Sequence, residues 1–110
     1  MSNDALANKS GAGRLAGKVA VVVGAGQSAN AGPDDHTVGN GRAVAMLFAR
    51  EGARVLAVDR DPDSLRETEA LIAQAGGSVQ TLIVDITDEE QVEKIAPACI
   101  DAFGSIDIFF

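Results

Sequence analysis

The sequence predicts an α/β domain built on a parallel sheet, with the element order β-α-β-α-β-α-β. Short apolar, β-branched runs recur along the chain, and each gap between them is long enough for one helix. The runs are continuous rather than alternating, as is typical of strands covered on both faces. The gaps carry helix start and stop signals, so we expect right-handed crossovers between parallel strands.

The four strands are predicted at VAVVV (19–23), RVLAV (54–58), SVQTLIV (78–84) and IDIFF (106–110). The first 14 residues are polar and rich in small side chains. We therefore expect a flexible tail over residues 1–14 and a single domain over residues 15–110.

The first two helices have clear boundaries. The first is predicted over 42–52, ends at Gly52, and turns Val44, Leu47 and Phe48 inward. In the second, Asp61 caps the N-terminus, Pro62 takes the first position and Gly76-Gly77 ends the helix. Its inward face is predicted to carry Leu65, Thr68 and Ile72.

The third helix has a less regular pattern. Thr87-Asp88-Glu89-Glu90 is predicted to form a capping box, and Gly104 to end the helix. Pro97 falls inside it and should kink it or cost a hydrogen bond. The predicted inward stripe consists of Val92, Ile95, Cys99 and Phe103.

Composition excludes several classes of protein. A net charge of −7 argues against nucleic-acid binding, and 46% hydrophobic residues are ample for a packed core. The sequence has neither a long apolar run nor a secretory signal, so we expect a cytoplasmic protein that does not cross a membrane. The single cysteine, Cys99, cannot form an internal disulfide and is expected to be a small buried hydrophobe.

A glycine-rich stretch follows the first strand. Residues 24–29, GAGQSA, fit the dinucleotide fingerprint G-x-G-x-x-G/A. The fingerprint needs a helix that begins on it, because the helix N-terminus holds the pyrophosphate. Residues 30–38 are a poor helix, so Gly39-Asn40-Gly41 is predicted to open the helix, with 28–38 looping out as an insertion.

Spacing supports this assignment. An acid that binds ribose is expected about 20 residues after the glycine turn. Asp59 follows Gly41 by 18 residues but follows Gly24 by 35. Within the insertion, Ser28 and Thr37 are candidates for a further phosphate contact. No metal site is expected at Asp34-Asp35-His36, because adjacent residues rarely converge on one ion.

Four stretches of the chain resemble, in unbroken order, the N-terminal half of the short-chain dehydrogenase/reductase family. They are LAGKVAVVVGAG (15–26), GNGRAVAMLFAREGARVLAVDRD (39–61), VDITDEEQV (84–92) and AFGSIDIFF (102–110). The resemblance implies a partial Rossmann-type doubly wound sheet, incomplete at its C-terminus. The chain departs from the family pattern at Val23, where the family has threonine, and in the 14 residues between Gly24 and Gly39, where the family usually has three.

The resemblance also implies roles for individual residues. Glycines of the turn let the backbone approach the pyrophosphate, Asp59 binds the adenosine ribose, and Asp85 with Ile86 flanks the adenine. The Asp59 carboxylate favours NAD over NADP, although Arg60 beside it could tolerate a 2′-phosphate. Asp107 is expected to support the sheet. With the literal fingerprint included, the predicted cofactor-binding residues are Gly24, Gly26, Gln27, Ser28, Gly39, Asn40, Gly41, Asp59, Arg60, Asp85 and Ile86.

The implied activity is that of an NAD-dependent oxidoreductase acting on an alcohol or carbonyl substrate, homo-oligomeric when intact. The family's catalytic serine and Tyr-x-x-x-Lys have no match here, and the chain contains no tyrosine. We therefore expect no catalytic residue in these 110 residues and no turnover by this chain alone.

Two other functions are considered. The chain could be a non-catalytic nucleotide-binding fragment, whose last strand would be an exposed apolar edge prone to self-association. It could also be a fragment of an S-adenosylmethionine-dependent methyltransferase, whose sheet likewise places an acid after the second strand. Such enzymes typically carry an acidic residue just before the glycines, where this chain has Val21-Val22-Val23.

Overall fold

The computed structural model describes residues 13–26 and 40–110, with the side chain of Asn40 excepted. These residues form four strands and four helices. In chain order they are β1 (Val19–Val23), α1 (Asn40–Arg50), β2 (Arg54–Asp59), α2 (Pro62–Gln74), β3 (Ser78–Ile83), α3 (Glu89–Val92), α4 (Ile95–Phe103) and β4 (Ile108–Phe109).

All the strands of the described sheet are parallel, in the order β3-β2-β1-β4. The chain starts in the middle at β1, moves outward through β2 and β3, and then crosses back to place β4 on the other side of β1. The strand order therefore reverses at β1, which makes the carboxyl end of β1 the switch point of a doubly wound sheet. The predicted Rossmann-type α/β fold is confirmed.

Side chains of β1 alternate between two apolar layers. Ala20 and Val22 pack in one core cluster with residues of α1 and α2. Val19 and Val21 pack in the other with Ile95 and Cys99 of α4. All four β1 residues are fully buried, as the continuous apolar run predicted.

The buried face of α1 differs from the prediction. The helix begins at Asn40, two residues earlier than predicted, and its fully or nearly buried apolar side chains are Ala45 and Ala49. Leu47 is 52% exposed, so its predicted inward position is wrong. Val44 and Phe48 are partly buried and pack against the same core cluster, as predicted.

The second helix agrees with the prediction. The Asp61 side chain caps α2 by accepting hydrogen bonds from the backbone N–H groups of Asp63 (3.0 Å) and Ser64 (3.3 Å). The predicted inward residues Leu65, Thr68 and Ile72 are all buried.

The predicted kinked third helix is instead two helices. The break falls between α3 and α4, and Pro97 lies in the first turn of α4. Proline has no N–H to donate to the carbonyl four residues earlier, which is that of Glu93, so a helix cannot run regularly through this point. Val92 is exposed rather than part of the buried stripe, while Ile95 and Cys99 are buried and Gly104 ends α4 with a positive φ of 84°.

The predicted Thr87 capping box is also wrong. The residue that caps α3 is Asp88, whose side chain accepts a hydrogen bond from the Glu90 N–H at 3.0 Å. The backbone N–H and hydroxyl of Thr87 instead donate to Asp85 Oδ1. Thr87 and Asp88 both have side chains that can cap a helix, and the sequence pattern predicts Thr87 where Asp88 is the cap.

Asp107 supports the sheet as predicted. Its carboxylate Oδ2 accepts a hydrogen bond from the Val19 N–H at 2.9 Å, and its own N–H donates to the Val19 carbonyl at 2.9 Å. These bonds fasten the start of β4 to the start of β1. Among the described helices none is long and apolar enough to cross a membrane.

Candidate functional site

A cleft of about 250 Å³ lies at the carboxyl ends of the central strands. Ligands of open α/β sheets bind at this edge. Most of the cleft comes from the three segments that follow β1, β2 and β3. Its lining residues are Val23, Gly24, Asp59, Arg60, Val84, Asp85, Ile86 and Thr87.

Gly24 makes the turn that leaves β1. Its φ is +74°, a left-handed conformation that glycine adopts without strain. The N–H groups of Gly24 and Ala25 both donate to the Val58 carbonyl, at 2.8 and 3.0 Å. The chain therefore turns over the end of β2, towards Asp59.

Gly41 lies where the first turn of α1 meets this turn. A Cβ built on Gly41 would overlap the carbonyl group of Gly24, so only glycine fits here. The helix that follows the glycine-rich stretch thus begins against Gly24, with Asn40 as its first residue. Close helix-to-strand packing is one of the three tasks that glycines perform in dinucleotide-binding turns.

Gly26 lies against the Asp59 carboxylate. Its N–H donates to Asp59 Oδ2 at 2.8 Å. A Cβ on Gly26 would come within 2.8 Å of the same oxygen and 2.7 Å of Ser64 Oγ, so a side chain at this position would displace both groups.

The Asp59 carboxylate accepts three backbone hydrogen bonds. Besides the bond from Gly26 to Oδ2, Oδ1 accepts from the N–H groups of Arg60 at 2.7 Å and Asp61 at 3.2 Å. A carboxylate offers about four lone-pair positions, two on each oxygen. Counting bonds within the described part of the chain, one position on Oδ2 remains for a ligand at the cleft.

The opposite wall of the cleft is formed by residues that follow β3. Asp85 Oδ1 accepts the Thr87 hydroxyl at 2.7 Å and the Thr87 N–H at 2.9 Å. These two bonds hold the pKa of Asp85 below its usual range, and the positive charge of Arg60 acts in the same direction. Ile86 beside it is 59% exposed, which leaves an apolar surface at the mouth of the cleft.

Six of the predicted cofactor-binding residues are brought together here, namely Gly24, Gly26, Gly41, Asp59, Asp85 and Ile86, with Arg60 at the rim. The predictions for Gln27, Ser28, Gly39, the 28–38 insertion and the Asn40 side chain lie outside the described residues. Across 13–26 and 40–110, no group of three or more His, Cys, Asp or Glu side chains is placed to hold a metal ion.

Sequence reasoning missed a buried polar cluster behind the glycine turn. Arg42 of α1 is only 6% exposed and donates from Nε to Thr68 Oγ1 at 2.8 Å. Its Nη2 donates to the Ser64 carbonyl at 2.9 Å and to Glu67 Oε2 at 3.2 Å. Thr68, predicted to face inward, was the available signal, because a buried hydroxyl requires a hydrogen-bond partner.

Cys99 lies away from this cleft, in the layer formed by α4. Its Sγ donates to the Ser105 carbonyl at 3.4 Å, and burial raises the pKa of the thiol. A buried thiol with a raised pKa is inert, in agreement with its predicted role as a core side chain.

A larger cavity of about 320 Å³ lies elsewhere, between the C-terminal ends of α1 and α2. Its lining is mostly apolar and includes Met46, Ala49, Leu71, Ile72 and Gly77. Those helix ends lie at the amino edge of the parallel strands, opposite the edge at which open α/β sheets bind ligands. The smaller cleft lies at the ligand-binding edge and carries the carboxylates of Asp59 and Asp85, so it is the candidate functional site.

Comparisons with known proteins identify the family of the chain. Residues 37–110 match the family model described as enoyl-(acyl carrier protein) reductase. An uncharacterized oxidoreductase of Bacillus subtilis, YxbG, is 39% identical over 98 residues, which cover 89% of this chain and 32% of the relative.

Two solved structures are also similar. One is a candidate short-chain dehydrogenase/reductase from Burkholderia xenovorans, with 45% identity and a TM-score of 0.76, covering 87% of this chain and 36% of that one. The other is a metagenomic short-chain oxidoreductase in complex with NADP, with 31% identity and a TM-score of 0.73, covering 87% and 38%. The chain thus spans about a third of the length of each of these proteins. It belongs to the short-chain dehydrogenase/reductase family.

Proposed function

We propose that this chain binds the adenosine half of a nicotinamide dinucleotide, as the cofactor-binding part of an oxidoreductase acting on an alcohol or carbonyl substrate. The observation that carries the proposal is the Asp59 carboxylate, which stands at the end of β2 on the switch-point edge and is bonded to the glycine turn at Gly26. An acid at this place in a doubly wound fold hydrogen-bonds ribose hydroxyls.

The remaining residues complete a site for this half of the cofactor. The close contact of Gly41 with Gly24 brings the N-terminus of α1 to the turn, where backbone N–H groups favour a pyrophosphate. Asp85 and Ile86 form the wall on which the adenine would lie. The free position on Asp59 Oδ2 is available to a ribose hydroxyl.

NAD is preferred over NADP in this proposal. A 2′-phosphate would bring its negative charge to the Asp59 carboxylate, whose hydrogen-bond partners within residues 13–26 and 40–110 are backbone N–H groups and include no side-chain cation. Arg60 is exposed at the rim and could pair with such a phosphate. Since the metagenomic neighbour was solved with NADP, the selectivity has to be measured on this chain.

The bound dinucleotide would supply the hydride donor or acceptor, while the residues of this chain bind and orient it. The family's general acid/base is a tyrosine, and the 110 residues contain none. We therefore propose that they bind cofactor without turnover, and that substrate selection and homo-oligomeric assembly belong to the intact, cytoplasmic enzyme.

Titration calorimetry with NAD, NADP and ADP-ribose tests this function. We expect NAD and ADP-ribose to bind more tightly than NADP, and Asp59→Ala to weaken both by about tenfold or more, as for the loss of a hydrogen bond to a charged group. Asp101→Ala, which removes an exposed carboxylate on α4, is the matched control and should bind as the wild type does.

The same titration separates the alternatives. Unchanged NAD binding by Asp59→Ala would refute the ribose role of Asp59. Binding of S-adenosylmethionine in place of NAD would refute the proposed nicotinamide cofactor. Hydride transfer by the 110 residues to any carbonyl substrate would refute the proposal that they are inactive alone.

A further inference from the structure

The peptide unit between Ala25 and Gly26 is held at both ends. Its N–H, on Gly26, donates to Asp59 Oδ2 at 2.8 Å. Its carbonyl, on Ala25, accepts the hydroxyl of Thr68 at 2.8 Å. Because a peptide unit is planar, a bond at one end fixes the direction of the group at the other. Thr68 on α2 thus controls the direction of the N–H that meets Asp59 on β2.

The direction of the Thr68 hydroxyl is itself fixed. Thr68 is completely buried, and its Oγ1 accepts a hydrogen bond from Arg42 Nε at 2.8 Å. A guanidinium is a donor only, so the single hydroxyl proton is left for an acceptor. The Ala25 carbonyl at 2.8 Å is much nearer than the alternative Ser64 carbonyl at 3.4 Å.

Arg42 is held rigidly enough to perform this task. Its guanidinium also donates to the Ser64 carbonyl at 2.9 Å and to Glu67, both on α2. It follows Gly41, whose backbone lies on the Gly24 carbonyl. One cluster therefore links the start of α1, the start of α2 and the glycine turn.

We propose that Thr68 and Arg42 are positioning residues for the ribose-binding carboxylate. They hold the Ala25–Gly26 peptide so that its N–H occupies one lone-pair position of Asp59 Oδ2 and leaves the other towards the cleft. The expected effect of Thr68 and Arg42 on nucleotide affinity rests on the proposed function. Their effect on the orientation of the Ala25–Gly26 peptide does not depend on a bound nucleotide.

Thr68→Val tests this positioning, because valine has almost the shape of threonine but cannot donate to the Ala25 carbonyl. The substitution removes the donor to the Ala25 carbonyl and the acceptor of Arg42 Nε, so the Gly26 N–H is no longer held on Asp59 Oδ2. We expect the affinity for NAD and ADP-ribose to fall about tenfold, as for the loss of one well-placed hydrogen bond at the site. Thr68→Ser keeps the hydroxyl and should restore affinity to within about twofold. Cys99→Ala, a buried substitution in the other layer, controls for general loss of stability and should leave the affinity unchanged.

A double-mutant cycle distinguishes positioning from a merely structural role. If Thr68 acts through Asp59, Thr68→Val should have no further effect on affinity in the Asp59→Ala background. Additive effects, or a lower melting temperature with unchanged affinity, would overturn the proposal. Arg42→Lys, which cannot reproduce the fork of donors, should weaken binding in the same direction if Thr68→Val fails to fold.

A second readout needs no nucleotide. The backbone ¹⁵N–¹H signal of Gly26 reports its bond to Asp59, and we expect Thr68→Val to shift it and Thr68→Ser to leave it nearly unchanged. If wild-type chain binds neither NAD nor ADP-ribose, the proposed function fails while this signal still tests the peptide geometry. A Gly26 signal unmoved by Thr68→Val would overturn the positioning role in either case.

Discussion

Gly41 in the first turn of α1 lies directly on the carbonyl group of Gly24, with no room for a side chain between them. The two glycines are 17 positions apart in the sequence. Their contact brings the N-terminus of a helix to the turn that leaves β1, although the intervening stretch is unusually long. A lengthened connection is therefore compatible with a helix that begins at the cleft.

Gly41→Ala should destabilise the protein, because the new Cβ would overlap backbone atoms of Gly24 that cannot swing aside. We expect the free energy of unfolding to fall by about 1–3 kcal/mol, as for other overpacked sites. Urea denaturation measures this. Ala43→Ser, at an exposed position of the same helix, is the control and should change it by less than about 0.5 kcal/mol. Equal stability of Gly41→Ala and wild type would contradict the contact.

Asp107→Ala should destabilise the fold without affecting nucleotide binding. The substitution removes the acceptor of the buried Val19 N–H, and an unpaired buried donor costs about 1–3 kcal/mol. The bond lies at the start of β1 and β4, at the edge of the sheet opposite the cleft. Asp107→Asn keeps a side-chain oxygen and should cost less. Denaturant unfolding measures the loss of stability, and NAD titration of the folded variant measures whether the affinity is unchanged.

Asp85 should titrate below the usual range of an aspartate, because the hydroxyl and N–H of Thr87 stabilise its charged form. A pKa lowered by folding contributes stability that is complete above the unfolded value, near pH 4, and is lost as the pH falls through the folded value. Carboxyl ¹³C NMR measures the midpoint directly. Thr87→Val removes the hydroxyl and should raise the midpoint. An identical midpoint in this variant would show that the hydroxyl bond does not form in solution.

Sequence patterns predicted the parts of the molecule that depend on side-chain type and spacing. The continuous apolar runs of β1 and β2, and the cap and inward face of α2, are where those signals place them. The distance from Gly41 predicts the acid at the end of β2, Asp59, because one helix and one strand have nearly fixed lengths.

Other features depend on contacts that periodicity does not encode. Its apolar side chain and helical spacing predict Leu47 inward, but the residues of α1 that are buried against the sheet are Ala45 and Ala49. The burial of Arg42 is not encoded in its sequence pattern, because an arginine in a first helical turn is ordinarily solvated. Its partners Thr68 and Ser64 meet it only because α2 packs over it. Thr87 and Asp88 are both good capping residues, and which one caps α3 is decided by the bond of Thr87 to Asp85.

The last prediction concerns β4, which lies at one edge of the described sheet beside β1. Phe109 and Phe110 are 59% and 54% exposed there, and an apolar edge strand pairs readily with another chain. Sedimentation equilibrium of the 110-residue chain should therefore show association that increases with concentration. Phe109→Lys should reduce it, because a charged edge resists pairing. Leu47→Lys, which changes an exposed apolar residue on α1, should not. A chain that stays monomeric at every concentration would contradict the prediction. If both lysine substitutions reduce association equally, association depends on exposed apolar surface in general and not on the β4 edge.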